Sequence, residues 1–205
     1  WMSEMYVRGV SHGDDHNIGG VRSLIDKVTT GQVLTSVPEK IPFGHSKGCA
    51  AGQRWEWDGV AFDVLHPQSV PVSGSNNASC VLRISSEYGS VLLTGDIEKQ
   101  AEQILVQTVP DRLASDVMLV PHHGSRTSST LEFIRAVDPK YALVAAGYRN
   151  RFGFPKQDIM QRYRSQGVDT RVSYQTGALT VLFRQDGIQL QEYRHQNRRL
   201  WHHEG

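Results

Sequence analysis

A chain of 205 residues with 39% apolar and 21% charged residues has ordinary globular composition, which excludes disordered and fibrous classes and suits one α/β domain over residues 1–205. The net charge of +1 steers only weakly toward a polyanion, so any contact with nucleic acid would need a local basic patch. Mean hydropathy is -0.41, no apolar run approaches the roughly 20 residues of a spanning helix, and the first residues lack the basic start and apolar core of a signal peptide.

In chain order, Met5-Tyr6-Val7 leads into a polar cluster, Ser11-His12-Gly13-Asp14-Asp15-His16-Asn17, after which Ile18, Val21, Leu24, Ile25 and Val28 recur at helical spacing. Residues 32–37 are β-rich, and the Gly- and Pro-rich stretch on to Arg54 is expected to be a loop or flap. Residues 55–65 alternate, which suggests a strand pair turning at Asp58-Gly59 and ending at His66-Pro67. After a Ser/Asn/Gly-rich loop to Asn77, residues 80–84 and 91–93 read as a hairpin that ends in Thr94-Gly95-Asp96. A helix pattern around Ala101, Ile104 and Leu105 precedes a buried strand at 117–120 and the cluster Pro121-His122-His123-Gly124-Ser125. A strand, helix and strand series is expected over 131–137, 141–146 and 155–164, where Pro155 suits a helix start. Residues 178–183 and 188–193 flank Gln185-Asp186-Gly187 as a final hairpin, and the mixture implies sheets covered by helices.

Three polar clusters therefore follow strand patterns: the loop at His12, Asp96, and His122-His123. Strand ends gather sites in α/β folds, and imidazole with carboxylate is the ligand set for zinc or manganese. Each cluster has a plainer reading: Asp96 as a helix N-cap, the histidine pair as packing under a turn, the first loop as a solvated acidic segment. His45, His66, His195, His202 and His203 lack such company and read as structural or surface residues. Cys49 and Cys80 form no C-x-x-C pair, which argues against a zinc knuckle and leaves both a disulfide and two free thiols open.

The order of these clusters resembles the metallo-β-lactamase superfamily and is similar, more narrowly, to the C-terminal domain of ComEC-type DNA-uptake proteins. The narrower likeness rests also on Trp55-Glu56-Trp57-Asp58-Gly59-Val60, Leu65-His66-Pro67, Asn76-Asn77-Ala78-Ser79-Cys80, and Asn150-Arg151-Phe152-Gly153-Phe154-Pro155. The resemblance implies an αββα sandwich lacking its first strands, cut from a longer membrane protein, on the periplasmic side of the bacterial inner membrane. It implies a metal-dependent nuclease that degrades the non-transported strand, with single-stranded DNA and the rest of the uptake protein as partners and no small-molecule cofactor. The implied metal is manganese or zinc, held by His12, Asp14, His16, Asp96, His122 and His123, with Asp14, Asp15 and Asp96 in catalytic roles. Arg149, Arg151 and Lys156 would hold phosphates, against the plainer reading of solvated charge. An oxidising compartment would let Cys49 and Cys80 pair.

Three positions, in two motifs, depart from the family's pattern. Counting back from Gly19-Gly20, His16 stands where the family has an aspartate and Asn17 where it has a histidine, and Phe154 stands where it has a histidine that contacts phosphate or metal. The position of a middle histidine ligand in hydrolytic relatives falls near Asn76-Asn77, as the ComEC branch generally has it. These departures raise two alternatives: a catalytically weakened domain that binds DNA or braces the channel, and a hydrolase of some other ester.

Overall fold

The computed structural model describes residues 4–13, 18–21, 23, 27, 29–41, 46–70 and 75–197. Among these, the strands fall into three sheets. In the first, β1 (Glu4–Val10) pairs in parallel with β2 (Thr29–Thr35), which pairs in parallel with β3 (Ser46–Gly48). The stretch before Arg54 was expected to be loop throughout; it also contributes β3 and a 3-10 turn at Pro38–Lys40, because three residues suffice to extend a sheet whose neighbour is already fixed. The helical spacing that begins at Ile18 lies largely outside the described residues.

The second sheet runs in sequence order: β4 (Arg54–Trp57), β5 (Val60–His66), β6 (Val81–Ser86), β7 (Gly89–Leu93), β8 (Val117–Leu119), β9 (Tyr141–Val144) and β10 (Asp169–Val172). Strands β4 to β7 are antiparallel neighbours. Asp58 (φ 51°) and Gly59 (φ 75°) turn β4 into β5 in left-handed conformation, as a two-residue type I′ hairpin requires. Strands β7 to β10 are parallel, so each connection needs a crossover, supplied by α1 (Lys99–Thr108), α2 (Leu131–Val137) and α3 (Gln157–Ser165). The order over 131–164 is thus helix, strand, helix, a correction to the strand, helix, strand reading. Phe133, Ile134 and Val137 are all buried, and a spacing of one and four belongs to a helix face, not to a pleat. Strands β11 (Leu179–Arg184) and β12 (Gly187–Glu192) form the final hairpin.

The large sheet has two apolar faces. Leu92, Met118 and Ala142 form one row across β7, β8 and β9 and pack with Leu105 of α1, Phe133 of α2 and Tyr163 of α3 in the main core. Each such aliphatic side chain, fully removed from water, contributes about 1.5–3 kcal/mol. Leu82, Leu93 and Leu119 face the other way, into a cavity of 680 Å³ that they share with Val10 and Leu34 of the small sheet. A smaller core of Val10, Val33 and Ile41 lies beside it. Cys49, after β3, and Cys80, before β6, form a disulfide with Cα atoms 6.0 Å apart, which ties the small sheet to the large one. Among the described residues, no helix is long and apolar enough to cross a membrane.

Candidate metal centre

The carboxyl ends of β1 in the small sheet and of β7, β8 and β9 in the large sheet meet at one rim. His12 follows β1, Asp96 follows β7, His122 and His123 follow β8, and Ala145 follows β9. Asp96 and the histidine pair meet there because β7 and β8 run parallel with a crossover helix between them, and His12 joins them from the small sheet. His12 is buried, and its Nε2 lies 3.3 Å from Oδ2 of Asp96. The Nε2 of His123 approaches the same oxygen at 3.5 Å.

The hydrogen bonds behind these rings orient them, and for His123 the bond sets the tautomer. Nδ1 of His123 donates to the carbonyl of Ala145 at 2.7 Å, so a neutral ring turns its Nε2 lone pair toward the Asp96 carboxylate. Two acceptors facing each other at that distance call for a second proton or a cation between them. Nδ1 of His12 pairs with Oγ of Ser11 at 3.0 Å, and since the hydroxyl can donate to it, the His12 Nε2 can carry the proton that it donates to Asp96. Burial pushes the Asp96 carboxyl up, but the hydrogen bond with His12 and the charges of His123, His12 and His122 outweigh it and hold the group below the usual carboxylate range. Two imidazole nitrogens and a carboxylate oxygen are donor types that a divalent cation takes.

Backbone conformation brings them that close. Gly95 has φ 57°, and a side-chain carbon there would sit 2.9 Å from Cβ of Ser79 and 3.1 Å from Cβ of Ser11, so only glycine lets β7 pass beneath the first loop. His122 (φ 48°) and His123 (φ 55°) are consecutive left-handed residues, each costing about 1–3 kcal/mol. The amide of His122 donates to the Gly95 carbonyl at 3.2 Å, and the Oγ of Ser128 donates to the Pro121 carbonyl at 3.0 Å; these bonds hold the turn.

Asp96 is not the N-cap of α1, because the helix begins at Lys99 and the cap position belongs to Glu98, whose side chain makes no capping bond. The cap comes from another loop: Oδ1 of Asn77 accepts the amides of Glu98 at 2.9 Å and Ala101 at 3.3 Å. Glu98 is free to turn toward the rim, where its Oε1 accepts from Thr127 at 2.9 Å and lies 3.4 Å from Nδ1 of His122. Sequence reasoning missed Glu98; its one signal was its place two residues after Asp96. His66 is structural, with Nε2 donating to the Asn77 carbonyl at 2.7 Å. His195 pairs with Glu192 at the surface, and His45, His202 and His203 lie outside the described residues.

Beyond the rim lies a second cavity of 640 Å³, whose lining includes Asp96, His122, His123, Arg151, Phe152 and Phe154. Phe154 meets His122 edge to face at 5.7 Å and cannot ligate or donate a proton. Arg151 reaches this cavity, Arg149 lies over the Tyr148 ring, and Lys156 donates to the Phe152 carbonyl at 2.6 Å, which braces the loop. Asp14, Asp15, His16 and Asn17 lie outside the described residues, and among the described residues no group of three or more His, Cys, Asp or Glu side chains forms a ready metal-binding group.

The family model described as "Metallo-beta-lactamase superfamily" matches residues 10–148. The chain is 34% identical over 185 residues to "Competence protein ComA" of Neisseria gonorrhoeae, covering 90% of this chain and 26% of that protein. It is 33% identical over 188 residues to "Recombination protein 2" of Haemophilus influenzae, covering 90% of this chain and 23% of that protein. The chain therefore spans about a quarter of the length of these relatives. Among solved structures, the metallo-beta-lactamase fold protein YhfI from Bacillus subtilis superposes with a TM-score of 0.51 at 13% identity, covering 82% of this chain and 74% of that one, a likeness of fold.

Proposed function

The chain belongs to the metallo-beta-lactamase superfamily, and from that premise we propose that it is the metal-dependent phosphodiesterase domain of a ComEC-type DNA-uptake protein, acting outside the cytoplasm on the strand that is not carried inward. The observation that carries the proposal is the convergence of His12 and His123 on one oxygen of Asp96, at the carboxyl ends of parallel strands and beside an open cavity. His12, Asp96 and His123 would hold a divalent cation, manganese or zinc, with Asp14, Asp15, His16 and His122 completing the first loop and the turn. When bound, such a cation supplies Lewis acidity to a phosphoryl oxygen and eases deprotonation of an attacking water. The Ala145 carbonyl and the Ser11 hydroxyl keep the two imidazoles aimed at Asp96. Arg149 and Arg151 bind phosphates flanking the scissile bond, with single-stranded DNA as substrate and the membrane-spanning remainder of the uptake protein as partner.

A second reading, a weakened domain that binds DNA and braces the channel, is favoured by Phe154, which puts a phenyl ring in the cavity at the family's histidine position. Metal analysis together with a nuclease assay in manganese separates the two. Bound metal, with cleavage abolished in both His12→Ala and Asp96→Ala, supports the phosphodiesterase. Absence of metal in the intact chain, with DNA binding that falls steeply as salt rises, supports the weakened domain.

A further inference from the structure

The loop that walls the outer cavity carries three aromatic and three cationic side chains within nine residues: Tyr148, Arg149, Arg151, Phe152, Phe154 and Lys156. Phe154 touches His122 edge to face, and Phe152 stacks on Phe154 with ring centroids 5.5 Å apart and planes at 19°. Phe154 and Phe152 thus step outward from the candidate metal centre to solvent, where Phe152 is 56% exposed; Tyr148, 60% exposed, stands on the same loop with its ring 6.3 Å from that of Tyr174. Large aromatic rings left in water beside a charged rim are unusual unless something covers them.

We propose that Phe152 and Tyr148 are base-stacking steps that select unpaired nucleic acid for this site, with Arg151 and Arg149 moving from the rings to the backbone phosphates. The inference rests on the phosphodiesterase reading above and adds to it the residues that recognise bases. Each exposed ring carries a guanidinium of the adjacent residue, Arg151 over Phe152 at 4.7 Å and Arg149 over Tyr148 at 5.2 Å. Such an exposed contact contributes about 0.5–1 kcal/mol, and a stacked base about 1–3 kcal/mol, so a base displaces the cation and frees it for a phosphate. Duplex DNA keeps its bases stacked on one another and cannot offer a ring face in this way.

The loop is built to hold the rings in place. Asn150 brackets Phe154 by accepting its amide at 2.9 Å and donating to its carbonyl at 2.6 Å, while a second bond runs from the same amide nitrogen to the Gly147 carbonyl at 3.0 Å. Lys156 donates to the Phe152 carbonyl from the far side. A platform fixed before binding loses little entropy when a base arrives.

The test is fluorescence anisotropy on the full chain in chelator, so that strands stay whole and no loaded metal is needed. The probes are labelled oligothymidylate of about 12 nucleotides and an abasic strand of equal length and charge. The intact chain is expected to prefer oligothymidylate, Phe152→Ala to lose about tenfold or more on it while leaving the abasic strand unchanged, and Phe152→Trp to restore binding. Arg151→Ala is expected to weaken both strands alike and reduce the salt slope by about 1. Equal binding of both strands by the intact chain, or equal loss on both in Phe152→Ala, overturns the stacking platform and leaves the phosphodiesterase reading standing. Failure of the intact chain to bind either strand overturns both. Thermal unfolding of Phe152→Ala should match the intact chain, since the ring it removes is at the surface.

Discussion

Oδ1 of Asn77 accepts the amide of Glu98 at 2.9 Å, so a loop residue before β6 caps the helix that leaves the candidate metal centre. Asn77→Ala should therefore lower stability by about 1–2 kcal/mol, the range of a lost cap. Asn76 makes one long contact to Glu98 at 3.5 Å, and its alanine variant should stay within about 0.5 kcal/mol. Urea midpoints of the two variants give the comparison, and equal shifts would remove the capping assignment.

His66 predicts a pH dependence of stability. Burial pushes its imidazole below the ordinary value of 6.5, against the raising effect of the bond to Asn77, and its buried Nδ1 has no hydrogen-bond partner among the described residues. The folded protein therefore binds fewer protons here than the unfolded chain does. The stability tied to the neutral ring is present above pH 6.5 and is lost as pH falls from there toward the depressed folded value. Thermal midpoints between pH 7.5 and 5 should decline, and in His66→Gln the decline should be shallower. An identical slope in both proteins would assign the acid sensitivity elsewhere.

The Cys49–Cys80 bridge closes a loop of sequence separation 31 and joins the two sheets, which predicts a loss of about 3 kcal/mol on reduction. Cys49→Ser should show the same loss without reductant and no further response to it. Denaturation with and without dithiothreitol decides this, and a midpoint insensitive to reductant would mean that the bridge carries no stability.

Phe154 lines the same cavity as Asp96 and contacts His122. Phe154→His places a proton donor and acceptor at that wall, and cleavage of single-stranded DNA in manganese should rise at least tenfold, since a positioned acid contributes about 10²–10⁴-fold. Oligonucleotide affinity in chelator should change little by comparison. An unchanged or lower rate would show that this position does not reach the reacting phosphate.

What sequence alone determined was local. Alternation at residues 55–65 with Asp58-Gly59 marked the first hairpin of the large sheet, because period two and left-handed turn residues are properties of neighbours in the chain. The three polar clusters were legible as strand-end segments for the same reason. Residues 131–137 were misread because a seven-residue stretch with five apolar residues is too short to separate the two periods until something packs on it, and α2 is settled by the burial of Phe133, Ile134 and Val137 in the core shared with β8 and β9. The roles at the site needed the tertiary structure throughout. The pair His122-His123 looks symmetric in sequence, yet two left-handed backbone steps send His123 to Asp96 and His122 to Glu98 and Phe154. Asp96 lost its reading as an N-cap to Asn77, and Glu98 joined the rim, because hydrogen bonds between distant loops carry no periodicity in the chain. Sequence supplied the donors; the sheet's order and the direction of its parallel strands decided which of them meet.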